Sequence, residues 1–173
     1  LYNYGFSSVF SEEVLSKANK ISDFISKKNS TSRLDYRQVV TFTIDPEDAK
    51  DFDDALSVKK LGPDSWEVGV HIADVSHFVA PNSVLDEEAY KRGASVYLCD
   101  RVVPMLPENI SNNVCSLKPN IDRFAFSIIF KLNSSGRVLD FKICETIIHS
   151  NHRFTYKEAQ ETIDTKSGPF FEE

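Results

Sequence analysis

The stretch with the most chemical capacity is Asp45-Pro46-Glu47-Asp48-Ala49-Lys50-Asp51-Phe52-Asp53-Asp54, in which six carboxylates face a single lysine. The aspartates at 45, 51, 53 and 54 can converge if the loop folds back, since the end of one strand and the start of the next lie close together. Crowded carboxylates repel one another, so such a cluster is unfavourable without a cation. Hard oxygen donors favour Mg2+, Mn2+ or Ca2+. Mg2+ held by carboxylates usually keeps positions for water and phosphate oxygens, which phosphodiester hydrolysis needs. The run therefore suggests phosphoryl chemistry without choosing a substrate. The competing reading is a solvated acidic loop, although such a loop has no need of Phe52 among its acids. An EF-hand does not fit: counted from Asp45, position 6 is Lys50 rather than glycine and position 12 is Leu56 rather than glutamate.

Positioning these acids requires strands on both sides. Val39-Val40-Thr41-Phe42-Thr43-Ile44 is a β-branched and aromatic run that Asp45-Pro46 stops. Ala55 to Val58, Trp66 to Ala73, Phe124 to Leu132 and Val138 to Ile148 read as further strands. Leu61 to Ser65 and Asn133 to Gly136 are turn segments of hairpin length, which predicts two antiparallel pairs. Ser11, followed by Glu12 and Glu13, starts an amphipathic helix over 11–28, with Val14, Ala18, Ile21 and Ile25 at helical spacing. The polar stretch Lys27 to Arg33 ends it. Two more helices begin in capping boxes at Ser83 with Asp86 and at Thr155 with Glu158. Strands and helices do not alternate regularly. The predicted class is therefore α+β, a mostly antiparallel or mixed sheet with flanking helices. Residues 1–34 read as a helical connector and 35–173 as the main domain.

Of the formal net charge of −6 over 173 residues, −5 sits between Asp45 and Asp54, which leaves −1 for the rest. The overall acidity therefore does not argue against a nucleic-acid partner. Cys99, Cys115 and Cys144 form no CxxC pair and match no zinc template; three buried thiols in a reducing cytosol are expected. No apolar run reaches the roughly 20 residues of a membrane span. The start at Leu1 and the end shortly after Gly168-Pro169 read as the limits of a piece of a longer protein.

The residues also resemble a known family. Thr43 to Leu56 is similar to the active-site signature of the ribonuclease II/R (RNB) exoribonucleases. Val70 to Val79, Ser95 to Leu98, Asp100 to Pro107 and Cys115-Ser116-Leu117 resemble successive later blocks. The likeness runs in register from about Arg33 to Ala159. The lead-in helix and Arg33-Leu34-Asp35-Tyr36-Arg37 are most like the bacterial ribonuclease R branch.

This resemblance implies the N-terminal part of an RNB catalytic domain whose parent hydrolyses single-stranded RNA from the 3′ end to nucleoside 5′-monophosphates. It implies Mg2+, with Mn2+ as the substitute, in a monomeric cytoplasmic protein with no membrane partner. Carried over by position, Asp45 and Asp54 are the chief metal ligands. Asp51 supports the metal shell, and Asp53 helps position the second metal or the attacking water. Asp51 and Asp53 are accordingly the catalytic candidates. Tyr97 and, by a looser match, Tyr156 are implied to contact RNA. Each also has a purely structural reading, as a core tyrosine on a strand and a packed tyrosine at a helix start. His71, between Val70 and Ile72, reads as a packed structural histidine, since two-metal hydrolysis requires no histidine base. Arg101 either contacts phosphate or pairs with Asp100 or Asp122. This stretch alone is expected to be inactive or nearly so. The alternatives are an inactive RNA-binding relative and a metal-dependent phosphatase.

Overall fold

Runs of β-branched and aromatic residues form strands, and capped segments form helices. The computed structural model describes residues 7–21 and 32–171. Its elements, in chain order, are α1 (Glu12–Ala18), β1 (Leu34–Asp35), β2 (Thr41–Asp45), β3 (Asp54–Gly62) and β4 (Ser65–Ala73), then α2 (Val75–Phe78), α3 (Val84–Arg92), β5 (Val96–Tyr97) and β6 (Val102–Val103). A π-helical turn (Ile110–Val114), β7 (Asp122–Asn133), β8 (Val138–His149), β9 (His152–Thr155) and α4 (Tyr156–Thr165) follow. Two compact units result, Leu1–Asp23 with Val75–Cys115, and Phe24–Asp74 with Ser116–Glu173.

In the first unit, Ser11 caps α1 by accepting from the Val14 N–H, with Glu12 and Glu13 in the first turn as predicted. The helix stops at Ala18 instead of running to residue 28. Lys20 and Ile21 donate to Lys17 and Ala18, three residues back, which tightens the last turn. Ile25 lies outside the described residues. Val14 and Ala18 are buried, and α1 packs on α3. Arg92 ties the unit together: it pairs with Glu88, donates to the carbonyls of Ser7, Val9 and Pro104, and lies 3.7 Å over the Phe10 ring. At α3, Asp86 N–H donates to Ser83 as expected, but the Asp86 carboxylate accepts from Asn82 N–H, so the reciprocal half of the predicted box is missing.

The second unit is a seven-stranded mixed sheet in the order β1-β8-β7-β4-β3-β2-β9, confirming the α+β class. Both predicted hairpins, β3–β4 and β7–β8, are antiparallel. The outermost strands, β1 against β8 and β9 against β2, are parallel. β9 was not expected, and α4 follows the last strand. Thr155 and Glu158 form the full capping box at α4.

One sheet face buries a polar row. His71, fully buried, meets Ser57 through Nε2 at 2.8 Å and Ser127 through Nδ1 at 2.7 Å, and Ser127 meets Thr146 at 2.6 Å. Gly69 makes room for it, because a Cβ there would stand 2.5 Å from His71 Nε2. The opposite face carries Ile72, Phe126, Phe141 and Ile143, each about half exposed.

Candidate metal centre and active site

Alternation along β2 turns Thr41, Thr43 and Asp45 to the buried face, so Asp45 is only 8% exposed. β3 is antiparallel to β2 and begins at Asp54, which returns the intervening loop to the same end of the sheet. The loop opens in a turn closed by Ala49 N–H on the Pro46 carbonyl at 3.1 Å. Its second arm is pinned through the backbone. Phe52 N–H donates to Ser116 Oγ, Leu117 N–H to the Phe52 carbonyl, and Ala73 N–H to the Asp53 carbonyl. Ser116 and Leu117 are fully buried, so this pair works as a clasp on the loop.

The structure therefore brings Asp45, Asp51, Asp53 and Asp54 to one end of the sheet. Asp53 and Asp54 face solvent, and Asp51 is half-buried. The Asp45 carboxyl is pushed above the usual range chiefly by burial. Asp54 and Asp51 push the same way, while Thr43 and Arg153 oppose it. The Asp53 carboxyl is also raised, first by lost hydration and then by Asp51, Asp54 and Asp45; it stays reachable by solvent although its neighbours crowd out water. Asp45 and Asp53 thus both feel the negative charge of Asp51 and Asp54.

Thr43 stands near enough to favour the ionised Asp45. Yet Thr43 Oγ1 and Asp45 Oδ2 are both buried without a hydrogen-bond partner, as is Arg153 Nε. Buried polar atoms are seldom left unpaired, and an oxygen in that state suits a ligand. The donor set is hard oxygen throughout and fits a divalent cation. Among the described residues, no three acidic, histidine or cysteine side chains close on a metal-sized point, so the acids are gathered but more widely spaced than in a closed cage.

Tyr156 opens α4 and is 63% exposed. Together with Thr155, Lys157, Glu158, Glu161 and Glu47 of the acid loop, it lines a cavity of about 470 Å3. Tyr97 lies on β5 in the other unit and is 68% exposed, so it is not a core tyrosine. His71 is the packed histidine that the sequence predicted, held well below its ordinary pKa, at about 4, by burial. His77 lies in α2, exposed and edge-on to Phe78. Arg101 pairs with Asp100 at 2.6 Å on the surface. Of the cysteines only Cys115 is buried; Cys99 is exposed and Cys144 intermediate, against the expectation of three buried thiols. No helix among the described residues is long and apolar enough to cross a membrane.

Sequence reasoning missed Arg153. Its Nη2 donates to the Pro46 carbonyl, and its guanidinium lies 5.7 Å over the Phe52 ring. The only sequence signal was a cation next to a capped helix.

Comparison with known proteins gives the family and the fold. Ribonuclease R 1 of Lactococcus lactis subsp. lactis (strain IL1403) is 48% identical over 156 residues, which is 90% of this chain and 19% of the relative. The solved Mycoplasma genitalium RNase R in complex with ribose-methylated single-stranded RNA superposes with a TM-score of 0.85 at 35% identity, covering 94% of this chain and 25% of that one. The yeast pseudonuclease Ssd1 shares the fold at a TM-score of 0.76 and 22% identity, over 86% of this chain and 18% of its own. The chain thus spans about a fifth of the curated relative's length. The RNB domain model matches residues 33–169, and the chain belongs to the RNB domain family.

Proposed function

We propose that the protein containing this chain is a Mg2+-dependent, 3′-to-5′ exoribonuclease that degrades single-stranded RNA to nucleoside 5′-monophosphates in a reducing cytoplasm. The observation that carries this reading is the buried, unpartnered Asp45 Oδ2 at the head of a loop that keeps all four acids. A family relative solved with single-stranded RNA supports the substrate class. Asp45 and Asp54 hold the divalent cation, Asp51 completes the oxygen shell, and Asp53 orients the attacking water. When bound, the ion activates water and offsets the charge developing on the phosphate oxygens. The exposed rings of Tyr156, beside the acid loop, and of Tyr97 offer stacking surfaces for bases.

A pseudonuclease can share this fold, so the fold alone does not decide for catalysis. The intact set of aspartates favours an enzyme over an inactive RNA-binding relative. The test follows a 5′-labelled single-stranded RNA incubated with the full-length parent, with and without Mg2+. Stepwise shortening that needs the metal and disappears in Asp53→Asn supports the reading. Intact RNA that still shifts on a native gel makes the protein an RNA binder. Hydrolysis of a generic phosphate ester, with RNA left intact, makes it a phosphatase.

A further inference from the structure

Arg153 stands where a short parallel strand meets the acid loop, and nothing in the catalytic reading uses it. The parallel register sets Thr43 beside Arg153 and Asp45 beside Thr155, so β9 runs along the strand that presents the buried acid. From there the guanidinium reaches both arms of the loop. Nη2 donates to the carbonyl of Pro46, the residue after Asp45, and Cζ lies over the Phe52 ring, 5.7 Å from its centroid; Phe52 stands between Asp51 and Asp53. The same Pro46 carbonyl closes the loop's first turn with Ala49 N–H. One planar group therefore joins the arm that carries Asp45 to the arm that carries Asp51, Asp53 and Asp54.

We infer that Arg153 is a positioning residue that sets the distance between Asp45 and the other three acids, and so sets the affinity of the cation site. The inference rests on the metal-binding reading proposed above. A planar, forked cation suits this place because it can hydrogen-bond to the Pro46 carbonyl while keeping its charge over the Phe52 ring; lysine offers a point charge without the fork. Charge alone makes the opposite prediction, since a cation beside a cation site weakens metal binding. The sign of the effect therefore separates positioning from electrostatics.

The test measures Mn2+ binding to the full-length protein by the electron paramagnetic resonance of free Mn2+, for wild type, Arg153→Gln and Arg153→Lys. Melting without metal identifies the folded variants. The expected result is a Kd about tenfold or more weaker in Arg153→Gln, with little rescue by Arg153→Lys, in the range seen when an outer partner of a metal ligand is lost. kcat should fall while KM for RNA holds. Tighter Mn2+ binding in Arg153→Gln, or wild-type binding in a folded variant, overturns the inference. If Arg153→Gln does not fold, Arg153→Lys alone decides by the same criterion. Failure of the wild type to bind Mn2+ defeats the metal-binding reading itself, and with it this inference.

Discussion

Two polar regions in the same sheet unit show opposite states of satisfaction. In the row around His71, each ring nitrogen meets a serine hydroxyl, and Ser127 continues to Thr146, so buried polar atoms are paired within the protein. At the end of β2, Asp45 Oδ2 and Thr43 Oγ1 are buried without partners, and the carboxyls of Asp45 and Asp53 are raised, first by burial and then by the neighbouring acids. A satisfied row acts as part of the core, whereas an unsatisfied one keeps capacity for something the chain does not itself supply. Histidine and serine look like catalytic residue types in a list, yet here they hold the sheet, and the chemistry is proposed for the acids.

The comparison breaks first at Asp53. Asp53→Asn should lower kcat by at least about a hundredfold while RNA binding persists, because it removes charge needed in the transition state more than in the bound state. Single-turnover rates beside a filter-binding Kd measure this, and a parallel loss of both would make Asp53 an ordinary binding residue.

The His71 row should show itself in stability. The folded-state histidine takes a proton only near pH 4, whereas an unfolded histidine does so near 6.5, so unfolding takes up a proton between those values. The contribution is complete above pH 6.5 and declines as pH falls toward 4, by about 3 kcal/mol in total. Urea titrations at several pH values should therefore show a steeper acid loss in wild type than in His71→Asn.

Gly69→Ala places a methyl against His71 and Ser57 and should cost about 1 to 3 kcal/mol. Denaturation midpoints measure it, and Mn2+ affinity of the folded protein should not change. The smallest effect belongs to the capping box. Thr155→Ala should destabilise by about 1 kcal/mol, readable as a small drop in melting temperature.

Local rules made several features legible. Asp45-Pro46 ends a β run, the segments around Pro63-Asp64 and Asn133 to Gly136 make hairpins, and Thr155 with Glu158 caps a helix. Each depends on neighbours a few residues apart, which is why they were readable. The extent of α1 was misjudged because periodicity continued past the point where the last turn tightens. β9 was missed because a four-residue parallel strand has too little alternation to announce itself, and its partner β2 lies more than a hundred residues away.

The sequence by itself determined which groups are the candidates for the chemistry: the four aspartates, their order, and the strands that bring them back to one end of a sheet. The tertiary structure alone decided that Asp45 keeps a buried oxygen unpaired, that Ser116 and Leu117 clasp Phe52, and that Arg153 bridges both arms of the loop. Residue types and spacing set donor chemistry locally, whereas burial and long-range pairing exist only once distant segments pack together.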